Sequence, residues 1–240
     1  MLAGHYATAL IAKQKVPKGS LMYFLIMSQL PDLLWVVFHF LGIEPTKPSN
    51  ILDVSLDQLM VDMIYSHDLL PILVWSGIGF GIGLLLFKSQ KVGAIGALLI
   101  ALHAFIDYIG GYPHNIFGTD SLSVSTGLYY SYPYLAVTIE LVFSIIALYW
   151  FFATEKKNNV ARTKKSRNWI IGIFTFNVLF LYSVASVSIG ELLNRMNVNF
   201  SPEFGFQTSM PFLLIVYVAY IYLIHRYAKV GSKELVQKRK

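Results

Sequence analysis

The chain has no cysteine among its 240 residues. Disulfides, thiolate zinc sites and thiol nucleophiles are therefore excluded, and any metal site must draw on His, Asp, Glu, hydroxyl or backbone ligands. Charge is also scarce. Only 13% of residues are charged, against 55% hydrophobic and a mean hydropathy of +0.57. A soluble domain usually carries about 25% charged residues. So little polar surface cannot cover a water-exposed fold, and a lipid environment is the simplest reading. A basic region ahead of the first apolar stretch is missing too. The first lysines come after it, which argues against a secretory signal peptide.

What is present is a series of apolar runs. A helix crossing the hydrocarbon core needs roughly 20 mainly apolar residues. Six segments qualify: 20–42, 69–87, 91–110, 131–153, 168–190 and 209–228. The expected fold is all-α, a polytopic transmembrane bundle of about six crossings. The opening MLAGHYATALIA is too short to cross and reads as a half-inserted or interfacial helix ending at Lys13–Lys15. The stretch 54–66 looks amphipathic and leads toward 69–87, with a break expected near Pro71. A Gly/Ser/Tyr-rich loop fills 111–130, and 154–167 is a basic connector.

The net charge of +6 invites a nucleic-acid partner. The positive residues instead sit in loops and tails beside apolar runs, where membrane topology would put them. With the first turn in the cytoplasm, 17 Lys and Arg fall inside and only Lys47 and Arg195 fall outside. The expectation is a cell (inner) membrane protein with both termini cytoplasmic and no nucleic-acid partner. It forms a single integral membrane domain. A polar half spans 1–118, an apolar scaffold half spans 131–228, and a basic tail spans 229–240.

Ionisable groups inside a membrane are expensive and mark function by default. They concentrate in the first half: His5, Asp32, His39, Asp62, His67, Asp68, His103, Asp107 and His114. The second half offers Glu140 and Glu191. His103 and Asp107 in ALHAFIDY stand at i,i+4, on one helix face, where an imidazole and a carboxylate suit one metal ion. Asp32 follows Pro31, which lacks an N–H, so carbonyls nearby are freed to pair or coordinate. Ser66 and Asp68 around His67 suit helix caps. His39 and His225 read as interfacial, and His114 reads as a solvent-facing loop residue. At about 1.5 Å per residue, His103 and Asp32 each lie about 18 Å from the cytoplasmic ends of their helices. A shared pocket in the outer half of the membrane follows.

The order of these motifs resembles a bacterial and archaeal family of membrane-bound metal-dependent hydrolases. That family has a histidine in a short N-terminal helix, a Pro-Asp motif, a paired-histidine segment and a His-x-x-x-Asp motif. The counterparts are His5 in AGHYATAL, Pro31-Asp32 in LPDLLW, Ser66-His67 in YSHDLL, and His103 with Asp107. The match covers roughly residues 1–118. Asp62 stands where the family has the first histidine of its pair.

The resemblance implies a hydrolase of ester or phosphoester bonds, distantly like zinc-dependent phospholipases C. His5, Asp32, Asp62, His67, His103 and Asp107 are then the candidate metal ligands, and Asp68 or Asp62 the candidate base. Zinc comes first among the metals, with manganese and iron also suited to such ligands. A membrane lipid is the expected substrate. Intramembrane Asp and His also serve proton- or cation-coupled transporters, and buried polar residues also tie non-catalytic scaffolds together.

Overall fold

The computed structural model describes residues 2–48, 50–198 and 210–229. Five helices are long and apolar enough to cross a membrane, and a bent pair makes a sixth span. The protein is therefore a multi-pass helical membrane protein.

The first helix, α1 (Leu2–Lys15), packs against α2, α6, α8 and α9. His5, Tyr6, Ala9 and Leu10 along it are sealed from solvent. The helix expected to be half-inserted or interfacial is packed into the bundle: small residues at Ala7, Ala9 and Ala12 let neighbours close around it. Lys13 ends it by donating to the Pro17 and Gly19 carbonyls at 2.7 and 2.8 Å.

The first expected crossing is two helices. α2 (Leu21–Ser28) starts on Ser20, whose Oγ accepts the Tyr23 N–H at 3.0 Å. α3 (Leu30–Phe40) leaves at 60° to it. Pro31 lies in the first turn of α3, where a missing N–H costs nothing, and the helix before it cannot continue.

The segment 54–66, which looks amphipathic in sequence, is not one continuous helix. β1 (Thr46–Lys47) pairs antiparallel with β2 (Met60–Val61), and the single turn α4 (Ile64–His67) follows. The break before the next span falls at Asp68, not Pro71, because Pro71 sits in the first turn of α5 and needs no hydrogen bond there.

α5 (Leu69–Phe87) and α6 (Gln90–Gly110) form the closest helix pair. Glycine is required at their crossing: a Cβ on Gly83 would stand 2.7 Å from the Gly93 Cα. Tyr23 fills the notch and donates to the Gly79 carbonyl at 2.8 Å. After the loop 111–127 come α7 (Leu128–Ser131), α8 (Pro133–Lys157), α9 (Lys164–Val184), the short α10 (Ile189–Arg195) and α11 (Met210–Ala228). The expected crossing 168–190 thus starts earlier and ends at Val184. Glu191 lies on exposed α10, outside the candidate membrane spans, paired with Arg195 at 2.6 Å.

The two ends of the bundle differ. One gathers the ends of α1, α5, α8 and α11. There Gln14 donates to the Phe151 carbonyl at 2.9 Å and Lys18 to the Lys88 carbonyl at 3.1 Å. The other is a cap built from 41–63, 111–132 and the turn after α9. Within its described residues 41–48 and 50–63, the cap is tied by Tyr112 to the Leu56 carbonyl (3.1 Å), Tyr130 to the Leu59 carbonyl (3.0 Å) and the Leu56 N–H to the Val184 carbonyl (3.0 Å).

Candidate metal centre

Four side chains from three elements converge beneath the cap. Asp32 comes from the first turn of α3, His67 from the end of α4, and His103 and Asp107 from one face of α6. One ligand atom from each lies within 4.8 Å of all the others, and all four residues are buried. His67 Nε2 is 3.3 Å from Asp32 Oδ1 and 3.9 Å from Asp107 Oδ2. His103 Nε2 is 3.4 Å from Asp107 Oδ2 and 3.8 Å from Asp32 Oδ1. The two Nε2 atoms are 3.3 Å apart.

Hydrogen bonding around the rings decides what they present. His103 Nδ1 lies 2.8 Å from the Ser28 carbonyl, an acceptor only. The Nδ1 therefore carries a hydrogen, and Nε2 is turned to the centre, where a neutral ring would present a lone pair. That carbonyl is available because α2 ends at Ser28 ahead of Pro31. His67 Nδ1 faces Ser66 Oγ at 2.8 Å, a hydroxyl able to accept, so its Nε2 can present a lone pair too. Two imidazole nitrogens and two carboxylates then meet in a buried space. Burying two carboxylates together is costly unless positive charge stands beside them. A divalent cation satisfies all four, and imidazole with carboxylate is a donor set for zinc, manganese or iron.

The supports of these ligands are equally specific. Gln29 donates through Nε2 to Asp32 Oδ2, leaving Oδ1 to the centre. Glu44 is fully buried, and its Oε1 accepts the N–H groups of Tyr65 and Ser66 at 2.6 and 2.8 Å. It thereby caps the one-turn helix that carries His67. Burial pushes the Glu44 carboxyl above its ordinary value, against the pull of Ser66 and Tyr65. Tyr108 donates to the His67 carbonyl at 2.8 Å.

Two expected members stand elsewhere. Asp68 points at the cap, where its two oxygens accept the N–H groups of Asn115 and Gly118 at 2.8 and 2.7 Å. Burial raises its carboxyl, and these two bonds oppose the rise. Its observed place is that of a loop anchor. Asp62 follows β2, half-buried, its N–H on the Pro45 carbonyl at 3.2 Å, and it is not one of the converging four. His5 adjoins the centre through Asp107, with Nε2 3.2 Å from Oδ1.

His114 corrects the sequence reading. It is buried, not solvent-facing, and its ring stacks on His67 at 5.2 Å and 10°. The Asp68-anchored loop places it there, with its N–H on Ser125 Oγ at 2.6 Å. Burial, then the neighbouring His67, pushes its imidazole down to about 3. Glu44 and Gln29 were also missed. Gln29 had a local signal, i,i+3 to Asp32; Glu44 lies 21 residues from Tyr65 and had none. His39 and His225 are half-buried on α3 and α11 and do not join the four, while Glu140 is buried within α8.

No protein-family model, curated protein or solved structure matches this chain.

Proposed function

We propose that the protein is a membrane-embedded metal-dependent hydrolase acting on a phospholipid or another lipid-linked phosphoester, in the cell membrane with both chain ends cytoplasmic. The observation that carries this is the convergence of Asp32, His67, His103 and Asp107 on one point. A zinc, manganese or iron ion bound there would lower the pKa of a bound water toward about 7 and polarise a phosphoryl oxygen. The order of the Pro-Asp and His-x-x-x-Asp motifs supports the same reading.

The chain's own residues divide the remaining work. His67 and His103 are sealed and form the floor of the site. The side chains of Asp32 and Asp107 keep 11% and 8% of their surface exposed, so the carboxylate edge is the open one. Substrate approaches there, from the side of Asp32 and Asp107. Asp68, with both oxygens on backbone N–H groups, is a poor base. A centre inside a helical bundle meets lipid headgroups before soluble esters.

The test is elemental analysis of the purified protein beside phosphate release from phospholipid vesicles. Bound zinc, manganese or iron, with chelator-sensitive release, is expected. Absence of all three above buffer background defeats the reading. Flux of protons or cations into proteoliposomes that vanishes in Asp107→Asn, with no hydrolysis, would replace it with a transporter.

A further inference from the structure

Two tyrosines outside the ligand set border the centre: Tyr129 on α7 and Tyr217 on α11. Tyr129 is fixed beside Asp107. Its N–H donates to the Gly111 carbonyl at 3.2 Å, and the Gly111 N–H donates to the Asp107 carbonyl at 2.6 Å. Gly111 lies so close that a Cβ on it would stand 3.2 Å from the Asp107 Cβ. Tyr217 is fixed through α1 and α3. Its carbonyl accepts the Tyr6 hydroxyl at 3.3 Å, one residue from His5, whose ring stacks on His103 with centroids 3.7 Å apart. Its helix packs on α3, which carries Asp32. The charges of Asp32 and Asp107 act on both phenols, and Tyr129 acts on Tyr217.

These two hydroxyls differ from the other phenols nearby. Tyr6, Tyr108 and Tyr112 each donate to a backbone carbonyl, of Tyr217, His67 and Leu56 respectively. The hydroxyls of Tyr129 and Tyr217 hydrogen-bond to no described residue. Both residues keep 6% of their surface exposed, as Asp107 does, whereas Tyr6 keeps 1%. Buried polar groups normally have a partner, so two idle hydroxyls beside an open carboxylate edge suit a partner that is not protein. A phenol keeps its proton at neutral pH and is a neutral donor. Phosphoryl oxygens are more often met by Arg or Lys. The chain has neither between Lys18 and Lys47, Lys47 and Lys88, Lys91 and Lys156, or Arg195 and Arg226. Those stretches hold all four ligands and both tyrosines.

We infer that Tyr129 and Tyr217 are substrate-binding residues, whose hydroxyls donate to the phosphoryl oxygens of the lipid substrate at the open edge of the centre. This rests on the hydrolase reading. Fixed donors gain strength where negative charge develops in the transition state, so they act on the rate as well as on binding. Both lie outside residues 1–118, and the second half of the chain therefore supplies part of the site.

The full-length protein in detergent is loaded with zinc and assayed for release of water-soluble phosphorus from micelles of phosphatidylcholine, phosphatidylethanolamine and phosphatidylglycerol. Tyr129→Phe and Tyr217→Phe each lack one hydroxyl. Each is expected to lose about 10²–10³-fold in kcat, with zinc content and melting temperature as in wild type. Wild-type rates in both variants overturn the inference and leave the hydrolase reading standing. Loss of zinc from the variants overturns it as well, since the hydroxyls then serve the metal centre and not the substrate. Zinc-bound wild type that releases nothing from any of the three lipids removes both readings. Where one variant has no melting transition, the other decides.

Discussion

Two buried clusters of opposite character stand at the two ends of the bundle. At one, Arg162 gives Nε and Nη2 to the Glu155 carboxylate at 2.8 and 2.5 Å. It gives Nη1 and Nη2 to the Tyr227 and Ala228 carbonyls at 2.7 and 3.0 Å. The fork closes α8 and satisfies the last carbonyls of α11, which a helix end leaves open. At the other end, Asp32, His67, His103 and Asp107 each turn one ligand atom toward a common point. Both clusters are buried and ionisable. Only the second gathers metal-ligating atoms around one point. Burial of charge alone therefore does not mark a site in this protein; convergence of ligand atoms does.

The largest effect expected is at the second cluster. Asp32→Ala with His103→Ala should abolish bound metal, measured by elemental analysis of protein purified beside wild type. Chelation should lower the melting temperature of wild type and leave that double variant unchanged. A ligand at 100 times its Kd contributes about 2.7 kcal/mol to the folded state. Arg162→Met should do the reverse. Leaving Glu155 buried and unpaired costs about 3–5 kcal/mol, read as a fall in thermal stability, with metal content intact. Loss of metal in Arg162→Met would show that the two ends are not independent.

How far these clusters were legible in sequence depends on how local their causes are. His103 and Asp107 share a helix, so their spacing alone put them on one face. Pro31 announced a break, and the freed carbonyl at Ser28 is the one that fixes the His103 tautomer. The apolar runs marked the spans because hydropathy acts residue by residue. His114 was not legible. Its burial depends on Asp68 holding a loop 47–50 residues away in sequence, and no periodicity encodes that. Glu44 was hidden for the same reason. The half 131–228 was read as plain apolar scaffold, whereas α8 and α9 bury Glu140, Ser144 and Asn177 and the Arg162 clasp joins them to α11.

Smaller effects should follow the supports of the centre. Gln29→Ala removes the donor that aims Asp32, and losses of this kind weaken metal binding by about 10–100-fold. A competition titration against a chromophoric chelator measures it. Glu44→Ala leaves two buried N–H groups of α4 without an acceptor, at about 1–3 kcal/mol. Glu44→Gln keeps the accepting oxygen and should recover most of that loss in a denaturation midpoint.

The smallest effect is expected at Asp62, and it separates motif order from geometry. The resemblance to the hydrolase family puts a ligand at this position, five residues before His67. A continuous helix would not place residues five apart on one face, and the chain here is not one helix. It runs from β2 through Met63 into the single turn of α4. The Asp62 peptide is held on the Pro45 carbonyl, in the hairpin rather than the bundle. Asp62→Asn should then leave metal stoichiometry unchanged and shift stability by less than about 0.5 kcal/mol, the usual range for a surface substitution. Loss of metal in this variant would mean that the β1–β2 hairpin closes onto the centre when the ion binds.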